Sequence, residues 1–136
     1  MHREDAEAVI KRARDSGVVT ERSHYRRGQL SREDGKPAHL EYDEASGKLT
    51  RRLWLVRGEY SRPGGLPPVE WLDKDTGVVV RAEYRVRTDS SGSSQLHRET
   101  GPALILYDRI TGEQKELGYY RFGRKQGVPL APVAKL

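Results

Sequence analysis

The chain has 136 residues, with 25 Lys+Arg against 20 Asp+Glu, 14 Gly, seven Tyr, two Trp, one Phe and no Cys. That length suits one domain. The absent cysteines exclude disulfides, thiol chemistry and cysteine-ligated metal, and no apolar run approaches the roughly 20 residues of a membrane-spanning helix. The net charge of +5 permits an acidic partner, and an N-terminus charged from its third residue reads as having no secretory signal, so a cytoplasmic protein is expected.

Two glycine-centred signals recur along the chain. The first is Asp, three residues, then Gly: Asp43-Glu-Ala-Ser-Gly47, Asp73-Lys-Asp-Thr-Gly77 and Asp108-Arg-Ile-Thr-Gly112. The second is Arg-x-x-Gly followed closely by Pro, from Arg32, Arg62, Arg98 and Arg124. Trp54, Tyr84 and Tyr119 each stand seven residues after their turn glycine. The N-terminus joins the series in degenerate form, because Gly17, Gly47 and Gly77 keep a period of 30. A short helix within Glu4–Arg14 is the alternative there, since Ala, Glu, Lys and Arg all favour one.

In chain order, first strands are expected at 7–13, 39–43, 68–73 and 102–108, and longer second strands at 18–27, 48–57, 78–87 and 113–122. Each pair closes through the Asp-x-x-[Ser/Thr]-Gly turn, where Asp accepts local backbone N–H groups. The expected fold is all-β: an antiparallel meander of four hairpin repeats in a single twisted sheet. The repeats run over about 2–30, 31–60, 61–96 and 97–123 of one domain spanning 1–136, with a partial repeat or cap at 124–136. The Ser/Gly-rich stretch Asp89–Ser94 lengthens the third repeat alone.

The stretches Ser31-Arg-Glu-Asp-Gly-Lys-Pro-Ala38 and His97-Arg-Glu-Thr-Gly-Pro-Ala103, with the aromatic strands around Trp54 and Tyr119-Tyr120-Arg121-Phe122, resemble MORN-type β-hairpin repeat proteins. The closest likeness is to bacterial and phage variants with an Arg-x-x-Gly-Pro-Ala loop. The units here are longer than the MORN unit and lack its Tyr-x-Gly core. The resemblance implies a binding or scaffolding role, including inhibitor, adaptor and antitoxin-like proteins, and brings no catalytic residues.

The residues themselves assemble no catalytic, metal or cofactor site. His2, His24, His39 and His97 lack partners at metal-ligand spacing, no Ser/His/Asp set emerges, and no enzyme, metal or cofactor is expected. The recurring arginines Arg3, Arg32, Arg62, Arg98 and Arg124 read as packing against neighbouring aromatics and bonding loop carbonyls, with phosphate binding as the alternative. Charge does have a location: the four second strands hold +8 and the remainder −3. Alternation places Arg27, Arg51, Arg57, Arg81, Arg85 and Arg87 on one face with Tyr25, Leu53, Leu55, Tyr120 and Phe122. Of these, Arg27, Arg51, Arg57, Arg81, Arg85, Arg87, Tyr25, Tyr120 and Phe122 are the candidate partner-binding residues. The expected partner is a protein with an acidic surface. Single-stranded or non-specific nucleic acid is the alternative, an anionic membrane surface comes third, and the sheet edges allow oligomers.

Overall fold

A computed structural model of the chain describes residues 8–88 and 93–127. Each of four units contributes a long hairpin followed by a short one. In the first, β1 (Val9–Arg12) pairs with β2 (Val19–Ser23), then β3 (Tyr25–Arg26) with β4 (Gln29–Leu30). The second has β5 (His39–Tyr42) with β6 (Leu49–Leu53), then β7 (Leu55–Val56) with β8 (Glu59–Tyr60). The third has β9 (Val69–Leu72) with β10 (Val79–Glu83), then β11 (Arg85–Arg87) with β12 (Ser94–Leu96). The fourth has β13 (Leu104–Tyr107) with β14 (Gln114–Gly118), then β15 (Tyr120–Arg121) with β16 (Arg124–Lys125).

The long hairpins join into one eight-stranded antiparallel sheet in the order β1-β2-β5-β6-β9-β10-β13-β14, which is the expected meander. Among the described residues of the alternative helix none is helical, and Val9–Arg12 form a strand. Val9–Arg12 pairs with Val19–Ser23, and these cross-strand hydrogen bonds outweigh the local helical preference. Residues 2–7, the start of that repeat, lie outside the described residues, as do 89–92 of the third-unit insertion and 128–136 of the partial repeat or cap expected at 124–136.

One expectation needs correction: each second strand breaks, at His24, Trp54, Tyr84 or Tyr119. These residues serve both layers. The N–H of Trp54 bonds Pro68 O in the main sheet, while its own C=O accepts from Ser61 N–H and closes the short hairpin. Tyr84 does the same with Ala103 and His97, and His24 with Ala38 and Ser31. At His24, Trp54 and Tyr84 the chain therefore bends with both backbone groups of the residue paired, and at Tyr119 the C=O accepts from Gln126 N–H.

The short hairpins owe their existence to a third glycine signal eleven residues after the turn glycine: Gly28, Gly58 and Gly123. Arg27, Arg57 and Phe122 have φ of 52°, 53° and 47°, and the glycines that follow have 79°, 77° and 80°. Two consecutive residues at positive φ make the type I′ turn that suits the right-handed twist of a two-residue hairpin. The third unit has Thr88 in place of that glycine, and its short hairpin carries the insertion instead.

The long turns work as expected. Asp73 Oδ1 accepts from the N–H groups of Asp75 and Thr76, and Asp108 Oδ1 from those of Ile110 and Thr111. In the first unit Ala13 takes the aspartate's place, and Gly17 N–H still bonds its carbonyl. The core lies between the layers, where Ala38, Leu53, Leu55 and Val69 are buried and Leu30, Tyr60 and Trp71 pack against them. Leu53 and Leu55 are thus interior residues, 7% and 5% exposed, and not part of an open arginine face. Arg124 lies in β16, opposite Arg121, so the fourth Arg-x-x-Gly-Pro motif does not occupy the place of the other three loops.

Candidate functional site

Register sets the site. Across the sheet Lys11, Glu21, Glu41, Arg51, Trp71, Arg81, Leu106 and Glu116 stand opposite one another in a single row, and so share one face. Trp71 sits at its centre between two arginines. The Arg51 and Arg81 guanidinium carbons lie 5.0 and 5.3 Å from the indole centroid, within cation–π range. Arg51 also donates to Glu41 across 3.0 Å. The side chains of Arg51 and Arg81 remain 32% and 41% exposed, so the row is reachable from solvent.

Intramolecular carboxylates engage most of the second-strand arginines. Glu83, only 1% exposed, accepts from Arg81 and Arg85 on the Trp71 face. Glu70, 8% exposed on the opposite face, accepts from Arg52 and Arg62. Arg26 pairs with Glu33, and Arg57 lies 3.9 Å from the same carboxylate. The +8 of the strands is therefore spread over paired sites and does not form one unbroken basic patch.

The other candidates belong to the short hairpins. Tyr25, Leu55, Arg85 and Tyr120 occupy one repeat position, and Arg27, Arg57, Arg87 and Phe122 another. Arg27, Arg57 and Phe122 are turn residues, and Phe122 is 60% exposed, with its ring 3.9 Å from that of His97. Each short hairpin after the first docks on the preceding unit: Gly58 N–H bonds Leu30 O, Arg87 Nη1 donates to Gly58 O, and Gly123 N–H bonds Leu96 O. The structure thus gathers Arg51, Arg81 and Arg85 around Trp71 and Glu83, and leaves Arg27, Arg57 and Phe122 along the second layer.

The loop arginines pack as expected. Arg62 lies 3.7 Å above Trp54 and bonds Pro67 O, while Arg98 lies 3.9 Å above Tyr84 and bonds Pro102 O. Trp54 and Tyr84 in turn donate to Gly35 O and Gly65 O of the preceding loop, so each aromatic ties two loops together.

Two groupings escaped the sequence. Trp71 was not a candidate, because its flanking arginines lie on neighbouring strands 20 and 10 residues away and only register unites them. Ser23, His39 and Glu41 also converge: Ser23 Oγ is 2.7 Å from His39 Nδ1, and His39 Nε2 is 3.0 Å from Glu41 Oε2. The order of groups is that of a nucleophile relay, but Ser23 is only 4% exposed, so the hydroxyl fills a sheet position beneath the surface.

Comparison with known proteins finds no match: no family model, no curated protein and no solved structure is significantly similar to this chain. Among the described residues, no helix is long and apolar enough to cross a membrane.

Proposed function

We propose that the chain is a non-enzymatic binding module of the MORN-like hairpin-repeat kind, docking on a protein partner through the sheet face centred on Trp71. Small inhibitors, adaptors and antitoxins work in this stoichiometric way. The observation that carries the reading is the half-buried Trp71 held between Arg51 and Arg81 on an accessible face, since Trp and Arg dominate the energetic centres of protein interfaces. The row also mixes signs, with Glu21, Glu41 and Glu116 among Lys11, Arg51 and Arg81. Such a pattern complements a protein surface that offers carboxylates opposite the arginines better than it does a uniform polyanion. Capture on the immobilised chain, with nuclease treatment and a wash at high salt, tests this. A defined protein that survives both supports the reading. Retained material that nuclease destroys and salt releases contradicts it.

A second reading, single-stranded nucleic-acid binding, is favoured by the fourth short hairpin. There Tyr120 and the exposed Phe122 stand among Arg121, Arg124 and Lys125, beside a cleft of about 270 Å³ lined by Arg98, Tyr119, Tyr120 and Arg121. Aromatic platforms flanked by cations suit bases and backbone respectively.

A further inference from the structure

We infer that the two outer strands of the sheet, β1 and β14, are complementary and join copies of this chain head to tail. The joint takes in Lys11 and Glu116, the two ends of the Trp71 row, but not its centre at Arg51, Trp71 and Arg81, where the proposed partner docks. Three joints between units, β2/β5, β6/β9 and β10/β13, use one register: Glu21 faces Glu41, Arg51 faces Trp71, and Arg81 faces Leu106. A fourth joint in that register sets β14 against β1 of a second copy. Glu116 then faces Lys11, Leu117 faces Ile10, and Gly118 faces Val9. One pair has opposite charges and the next is apolar on both sides.

Burial within the chain gives the independent argument. Val9 and Ile10 are 49% and 39% exposed on the edge, and Leu117 is 41% exposed on the other. Where the joint is made, the same repeat positions are less open: Val69 and Ile105, at the places of Val9 and Ile10, are 1% and 6% exposed, and His39, Leu40 and Leu104 are half-buried. The second layer continues likewise. Gly58 N–H bonds Leu30 O across one joint, and the same step brings Gly28 N–H of one copy to Lys125 O of the other. Because the joint uses two different surfaces, it propagates as an open chain with a free edge at each end, or closes into a ring.

The test is the mass of the full chain against concentration by sedimentation velocity, for wild type, Ile10→Glu, Leu117→Arg and the double variant. Both substitutions use residues found at these repeat positions, Glu70 and Arg52, which face each other in the sheet. Circular dichroism checks that each variant folds. Wild type should grow past the dimer with concentration, and each single variant should stay monomeric at concentrations where wild type is oligomeric. The double variant, and an equal mixture of the two singles, should associate again. A wild type that stays monomeric, as when the chain's own termini cover the edges, overturns the inference. So does a wild type that stops at a dimer, or association indifferent to Leu117→Arg.

Discussion

At the scale of single residues, two carboxylates among the described residues are buried, and each is met by a pair of arginines. Glu83 depends on Arg81 and Arg85, and Glu70 on Arg52 and Arg62. Removing the partners of a buried charge costs about 3–5 kcal/mol, more than solvent recovers. The double variant Arg81→Glu, Arg85→Glu is therefore expected to lose most of its stability in urea denaturation, where a freely solvated arginine face would tolerate it. A midpoint within error of wild type would show that Glu83 does not need them. Asp73 offers a titration. Arg109 Nε, 2.7 Å from Oδ2, and the N–H of Thr76 hold its carboxyl down at about 2 from an ordinary 3.8. A lowered value means that the ionised form supports the fold above pH 3.8, and that this support fades as pH falls towards 2. Carboxyl NMR should find the Asp73 inflection near 2 and, in Arg109→Ala, nearer the ordinary value. A wild-type inflection at 3.8 contradicts the pairing.

At the scale of elements, the hairpins were legible because their turns announce themselves. Asp43, Asp73 and Asp108 cap their own turns, and the glycine four residues on closes them, so first strands fell within two residues of their places. The break in each second strand was hidden, because alternation from Val78 to Val86 runs on without interruption. It comes with the short hairpin, whose closing bond falls on the residue at the break, and in two units that hairpin turns on Arg27 and Arg57, residues with no special preference for positive φ. Leu53 and Leu55, on either side of the break, are buried, so Leu53 shares the side of Arg51 on β6 without being open to solvent. The turn glycines can be tested individually. Gly28→Ala meets open space and should lose about 1–2 kcal/mol from left-handed strain alone. Gly58→Ala carries the same strain and places a methyl 2.7 Å from Arg87 Nη1. That flexible side-chain end must swing away and give up its bond to Gly58 O, so the variant should lose more in the same denaturation assay. Equal losses would mean that the Arg87 contact between successive short hairpins contributes nothing.

At the scale of the whole molecule, stacking explains both layers: strand joints below, turn-to-strand joints above, and loop arginines on aromatics along the side. The position of Trp71 could not be read from one strand, because it depends on how three strands align. What that residue does is the central claim, and repetition supplies a variant suited to test it. Leu106 occupies the same repeat position as Trp71, so Trp71→Leu should keep the sheet while removing the aromatic between Arg51 and Arg81. The decisive measurement is the affinity of the captured protein partner for wild type, Trp71→Leu and Phe122→Ala, by titration calorimetry. Trp71→Leu should weaken binding by at least ~30-fold, the ~2 kcal/mol of an interface centre, with Phe122→Ala near wild type. The opposite ranking, with Phe122→Ala abolishing binding and Trp71→Leu leaving it intact, would contradict the account and move the active surface to the fourth short hairpin.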